Sequence, residues 1–271
     1  MDEDQRSLER LRHHFEVERE LADRLRHSSR AGRTELFRTM YDELFVRVPD
    51  HPRLTRRDTE ESSRRAVAAR MALLRGQLPG VKSFLEFAPG DCRLAFEVCK
   101  HVPQVYAVDI SDQTGGLKDV PRNFKLILYD GYSLNLPDNS VDLAYSYQFL
   151  EHLHPDDVES HFQLIQRVLR PGGAYIFSTP HLYSGPHDIS AGFTETPQGF
   201  HLKEWTYREM NSLLQRVGYS EARIYRLGTA RGGFVSGLTR GMEAMLGCLP
   251  IGLRKRLSQR LFLSVCMRVR K

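Results

Sequence analysis

At 271 residues the chain has room for one large domain, or for a domain with an extension. A hydrophobic fraction of 41% allows a sizeable core and a charged fraction of 27% is ordinary, so the composition is that of a soluble globular protein rather than a disordered one. The net charge of +5 would suit a nucleic-acid or membrane partner only if it were concentrated. The arginines are instead spread among acids along amphipathic stretches, as on a solvated face.

The first 78 residues read as helical. Leu8, Leu11, Phe15, Leu21 and Leu25 recur near helical spacing, and Leu36, Phe37, Met40, Tyr41, Leu44 and Phe45 mark a second helix over 34–45. Val48-Pro49-Asp50-His51-Pro52 breaks the chain. A third helix is predicted over 59–78, with Asp58 or Thr59 as N-cap and Pro79-Gly80 as its end. Such stripes most often serve packing; the functional alternative is a helical cap over an active site.

Strands are predicted at 83–87, 104–109, 125–129, 141–146 and 174–179. Helices fall at 91–101, 113–119 and 155–169. This alternation implies βαβ units, a mostly parallel sheet, and strand C-termini gathered on one edge. From 180 to 205 the chain is polar and aperiodic, a loop length that usually carries function or disorder. A helix over 207–217 and a strand over 221–226 follow. After helical stretches at 236–247 and 251–260, an alternating run over 261–270 suits a final edge strand. A basic amphipathic membrane anchor is the rival reading of 251–271, so contact with a membrane surface stays open.

Acids stand where apolar strands end. Glu86-Phe87-Ala88-Pro89-Gly90-Asp91-Cys92 is a strand-to-helix turn of small residues, which by itself suits a plain connection as well as a ligand-binding one. Asp109 closes the second strand 23 residues after Glu86. That is about the separation (roughly 20 residues) at which a carboxylate holds ribose hydroxyls in dinucleotide folds. Asp130-Gly131 opens the run Asp130-Gly131-Tyr132-Ser133-Leu134-Asn135-Leu136-Pro137-Asp138-Asn139-Ser140-Val141-Asp142. Ser146-Tyr147-Gln148-Phe149-Leu150-Glu151-His152-Leu153 and Arg167-Val168-Leu169-Arg170-Pro171-Gly172-Gly173 come next.

Taken together these segments resemble the class I S-adenosylmethionine-dependent methyltransferases, of the type acting on small molecules, over about residues 80–226. The resemblance implies a Rossmann-like, seven-stranded, mostly parallel sheet with helices on both faces. The helical extension would be residues 1–78, with the cofactor-binding domain at 79–271. It implies S-adenosylmethionine as cofactor, held by Glu86, Ala88, Gly90, Asp109, Asp130, Gly131 and the backbone at Tyr147. Asp109 would take the ribose, and Asp130 with the Gly131 amide the adenine. The sequence departs from the family's three alternate glycines at Ala88 and Cys92.

A catalytic base is needed only if the acceptor must lose a proton. His181 stands first, directly after the fifth strand, with His152 and His201 as alternatives. His201 lies in His201-Leu202-Lys203-Glu204-Trp205-Thr206, similar to a family segment that introduces the next helix. A nicotinamide-dependent oxidoreductase would need Gly-x-Gly-x-x-Gly after the first strand, which Glu86 to Arg93 does not provide. A non-catalytic S-adenosylmethionine-binding module is the other rival. No nucleic-acid partner is expected. Cys92, Cys99, Cys248 and Cys266 form no CxxC pair, so no structural metal is expected. With no apolar h-region at the start and no bilayer-length apolar run, the expected location is cytoplasmic.

Overall fold

The computed structural model describes residues 6–55, 60–111 and 119–271. The N-cap expected at Asp58 or Thr59 and nearly all of the helix expected at 113–119 lie outside them.

Helix α1 (Leu8–Arg26) starts where the Ser7 hydroxyl accepts the Arg10 amide, and α2 (Arg30–Arg47) where the Ser29 hydroxyl accepts that of Gly32. Their apolar faces do not meet the sheet. Val17, Leu21, Ala22 and Leu25 of α1 pack on Met40 and Leu44 of α2, and both helices close over Phe200 and Leu202 of the long loop. After the proline break comes a single helical turn, α3 (Pro52–Thr55).

The third helix behaves differently. Met71 and Leu74 of α4 (Glu60–Leu74), with Leu78, join Leu94, Ala95 and Val98 of α5 (Arg93–Val98) against one face of the sheet, on Phe84, Val105 and Leu143. The opposite face carries Leu85, Phe87, Val108 and Ala144. These pack on Phe162 and Ile165 of α6 (Val158–Val168) and on Met210, Leu213 and Leu214 of α7 (Tyr207–Val217). Helix α7 is fixed at both ends, by a capping box of Thr206 and Glu209 and by Gly218 at φ +90°. Each fully buried Val, Leu, Ile, Phe or Met side chain among these contributes about 1.5–3 kcal/mol of transfer free energy.

The sheet has eight strands, one more than expected. Its order is β3 (Phe124–Leu128), β2 (Gln104–Asp109), β1 (Ser83–Phe87), β4 (Val141–Tyr147), β5 (Leu169–Pro180), β8 (Ser264–Arg270), β6 (Glu221–Arg226), β7 (Thr229–Ala230). The first five are mutually parallel. The extra strand is β7, two residues long, hairpinned to β6 through Leu227 and Gly228, both at positive φ. A Leu-Gly turn lacks the Asn-Gly or Asp-Gly signal that would have announced it.

The C-terminal strand is real but is not an edge. β8 pairs antiparallel with β5 on one side and with β6 on the other, burying Val265, Met267 and Val269. That places 264–270 inside the sheet and leaves no anchor there. The fifth strand, expected over 174–179, begins at Leu169, and the Pro171-Gly172-Gly173 turn, with Gly172 at φ +79°, forms an irregularity in its ladder with β4. A Cβ on Gly173 would lie 2.9 Å from the Arg170 carbonyl, so only glycine fits there. Among the described residues no helix is long and apolar enough to cross a membrane.

Candidate active site at the strand C-termini

The ends of β1, β2 and β3 are tied in series. The Ala88 amide donates to the Val108 carbonyl, and the Tyr129 amide to that of Asp109, each at 2.9 Å. Ala88, Asp109 and the Asp130 turn are therefore neighbours along one edge. The turn after β1 keeps the backbone of a glycine-rich loop with only one of its three glycines: Ala88, Gly90 and Cys92 have φ of +51°, +59° and +57°. This left-handed region costs a non-glycine residue about 1–3 kcal/mol. Ala88→Gly is accordingly expected to raise stability by about 0.5–1 kcal/mol, after the entropy glycine adds to the unfolded chain is deducted. Equilibrium urea unfolding measures it, and a loss of stability would show that the strain is absent. Cys92→Gly would not share the gain, because the Cys92 side chain is fully buried in the α5-side core.

Glu86 is 3% exposed, and among the described residues one of its carboxylate oxygens has no hydrogen-bond partner; burial pushes its pKa up to about 8, against the opposing charge of Arg70. Asp109 is half-buried. Burial raises its pKa, while the amides of Ser111 and Ile110 and the charge of Arg53 pull it back. Asp130 is exposed, and its Oδ1 accepts the amides of Tyr132 at 2.8 Å and Ser133 at 2.6 Å. Although burial pushes upward, those amides hold its pKa below the usual range. Gly131 sits at φ +94°, and a Cβ there would lie 3.9 Å from the Phe37 ring of α2. Tyr147, at the exposed end of β4, lies under the Arg70 guanidinium at 4.8 Å.

The three candidate histidines separate. His181 is fully buried between β5 and α7. Its Nδ1 accepts the Tyr183 amide at 3.1 Å and its Nε2 donates to Glu243 Oε1 at 2.7 Å. Glu243 in turn accepts the amides of Tyr207 and Arg208 at the start of α7. With both ring nitrogens engaged, His181 belongs to a helix cap and has no nitrogen left for a substrate proton. Position after a strand suggested a base; the neighbouring α8 (Gly233–Gly247), invisible to that argument, supplied a buried partner.

His152 and His201 come together, with ring centroids 5.1 Å apart, and Glu151 joins them. His152 Nδ1 donates to the Phe200 carbonyl at 3.0 Å; burial and the nearby His201 lower its pKa to about 4. His201 Nδ1 donates to Glu204 Oε1 at 2.9 Å; burial disfavours its charge, but Glu204 and Glu151 outweigh that and raise its pKa. Glu151 is fully buried, which pushes its pKa up to about 7 despite His201 and the Thr179 hydroxyl, which donates to Oε2 at 2.9 Å. Among the described residues its Oε1 has no hydrogen-bond partner. Sequence reasoning passed over Glu151 and Glu204, although both stood beside quoted histidines, in Glu151-His152 and in His201-x-x-Glu204.

The loop 181–206 holds this cluster by being ordered around acids. Glu204 Oε1 also accepts the His187 amide at 2.7 Å, and a Cβ on Gly185 would fall 1.8 Å from its Oε2. From α1, Glu18 Oε1 accepts the Phe200 amide at 2.8 Å, and the Arg26 guanidinium donates to the carbonyls of Gln198 and Gly199. From α2, Arg33 pairs with Asp157 and Tyr132, and Tyr41 packs edge-on against Phe200 at 5.3 Å. Arg53 of α3 lies over Tyr41 at 5.2 Å.

A family described as a methyltransferase domain matches residues 85–177. A protein of Mycolicibacterium smegmatis described as a probable S-adenosylmethionine-dependent methyltransferase is 36% identical over 86 residues, 32% of this chain and 31% of that one. The match thus spans about a third of that relative's length. A SAM-dependent methyltransferase from Archaeoglobus fulgidus superposes with a TM-score of 0.53 at 18% identity, covering 78% of this chain and 96% of that one. The 1,6-didemethyltoxoflavin-N1-methyltransferase of Burkholderia thailandensis, solved with its substrate and S-adenosylhomocysteine, gives 0.54 at 16% identity, covering 90% and 91%. At such identities the structural likeness shows the fold.

Proposed function

We infer that this chain, whose residues 85–177 match a methyltransferase-domain family, is a class I S-adenosylmethionine-dependent methyltransferase that methylates a small-molecule acceptor. The observation that carries the reading is the placement of Asp109 and Asp130 on adjacent strand ends beside the left-handed turn at Ala88 to Cys92. The fit to the cofactor is chemical. A half-buried carboxylate at Asp109 can accept both hydroxyls of a cis-diol. Asp130 commits Oδ1 to its own turn and keeps Oδ2 for an amino group. The turn brings backbone, rather than side chains, to the end of β1, and Glu86 and the backbone at Tyr147 flank it.

S-adenosylmethionine, when bound, supplies an already activated methyl group. The protein's remaining task is to align the acceptor and exclude water. Helices α1–α3 with the loop 181–206 are the elements suited to this, because Phe37, Tyr41, Arg53 and Phe200 stand on the same side as the strand ends. We therefore read α1–α3 as the acceptor cap, whereas α4 belongs to the sheet. Where the acceptor is a hydroxyl or an amine, as in a sugar, natural product, quinone or lipid precursor, His201 and His152 are the groups placed to take its proton. Oxygen is the favoured position, with carbon or nitrogen as the alternatives. A non-catalytic S-adenosylmethionine-binding module would explain the lost glycines equally well, but not an ordered, buried Glu–His–His cluster at the same edge.

Isothermal calorimetry with S-adenosylmethionine beside NAD tests the reading. Saturable binding of the first, and none of the second, is expected. The reverse pattern would return the chain to the nicotinamide enzymes.

A further inference from the structure

We propose that Glu151, His152 and His201 form a binding site for one divalent transition-metal ion, set between the long loop and the ends of β4 and β5. One ligand-capable atom from each residue lies within 4.8 Å of the other two. Which atoms are available follows from the hydrogen bonds. A carbonyl oxygen can only accept, so His152 Nδ1, 3.0 Å from the Phe200 carbonyl, carries the proton and Nε2 the lone pair. His201 is oriented in the same sense by Glu204 at 2.9 Å, the carboxylate–histidine pairing that fixes the tautomer of metal-bound imidazoles. Glu151 spends Oε2 on the Thr179 hydroxyl and leaves Oε1 fully buried without a partner.

A buried carboxylate oxygen with nothing to accept costs about 1–3 kcal/mol or more, so its retention calls for a ligand. Each of the three residues thus has one polar atom held by a different group, Thr179, the Phe200 carbonyl or Glu204, and a second left over. Two imidazoles and one carboxylate suit zinc, cobalt, nickel, manganese or ferrous iron over magnesium or calcium, which prefer oxygen alone. Three protein ligands leave coordination positions open, as catalytic metal sites do. With a metal bound, His152 and His201 would act as its ligands rather than as the base, and an acceptor hydroxyl bound there would be held in place and would lose its proton to solvent water more readily. That consequence rests on the methyltransferase reading; the capacity to bind metal does not. The other His–Glu group, His14, Glu18 and His51, is less suited, since Arg6 reaches His14 Nδ1 at 3.2 Å and would oppose a cation.

The test uses the full chain, stripped with a chelator and titrated with Co2+ while its visible absorption is followed. One equivalent per chain with ligand-field bands is expected. His201→Asn and Glu151→Gln should each abolish saturation at that stoichiometry, and Glu204→Gln should weaken binding roughly 10–100-fold through the supporting shell. His14→Asn should change nothing. S-adenosylmethionine titrated into the same samples reports folding and separates the two readings. Cobalt bound without the cofactor would leave this site standing and sink the methyltransferase reading. Cobalt that fails to saturate the parent, or binds undiminished to a His201→Asn protein that still takes up cofactor, overturns the site.

Discussion

Replacing Arg33 with alanine is expected to lower the unfolding free energy by about 3–5 kcal/mol, the cost of removing one partner of a buried ion pair. Arg33 and Asp157 are 5% and 8% exposed, and the guanidinium grips both carboxylate oxygens, at 2.8 and 3.0 Å. Tyr132 donates to the same carboxylate at 2.9 Å, and the second arm of Arg33 donates to the Ser28 carbonyl. The arrangement ties the first turn of α2 to the entry of α6 and the Asp130 turn, so alanine would leave the buried Asp157 carboxylate without this cation. Arg24 and Glu43 approach as closely, at 2.7 Å, but with side chains 43% and 33% exposed, and such pairs contribute about 0–1 kcal/mol. Arg24→Ala is therefore the control. Arg33→Lys should fall between, because an ammonium cannot make the two-pronged contact. Urea unfolding of the three variants decides it; an Arg33→Ala loss no larger than that of Arg24→Ala would mean that water reaches Asp157.

Asp109→Ala is expected to weaken S-adenosylmethionine binding by about 1.5–3 kcal/mol, the range for hydrogen bonds to a charged group, or on the order of 10–150-fold in Kd. The unliganded protein should not lose stability with it. Burial already disfavours the Asp109 charge, and among the described residues what offsets this is neighbouring amides and the nearby charge of Arg53. The substitution thus separates binding from folding, which a core residue would not. Asp130→Asn should lose less than Asp130→Ala, since the amide oxygen can still accept from Tyr132 and Ser133. Calorimetry on folded variants supplies the numbers, and an Asp109→Ala protein that binds as tightly as the parent would sink the ribose assignment.

The strands were the most legible elements, because their signals are local. β1, β2 and β6 occupy the expected residues, and α7 runs over the expected 207–217 between Thr206 and Gly218. The placement of Glu86, Asp109 and Asp130 on one edge followed from alternation and the rule of parallel crossovers. Less legible were features whose cause lies elsewhere in the chain. The left-handed turn survived the replacement of two of its glycines, since sheet and α5 hold that backbone whatever the side chain. β8 entered the sheet's interior because β6 needed a partner to bury Val265, Met267 and Val269 against.

By itself the sequence determined the order of strands and helices, the acids at the strand ends and the glycine and capping signals. Each of these depends on neighbours a few residues away, where backbone geometry leaves few choices. Only the tertiary structure decided which polar groups meet. Glu151 and His152 reach His201 across 50 and 49 residues, Arg33 finds Asp157 across 124, and His181 is taken by Glu243 across 62. A charge or an imidazole looks the same in sequence whether it will face water, a cofactor or a buried partner. Its role is set by the desolvation and the partner that folding gives it, and those are properties of packing.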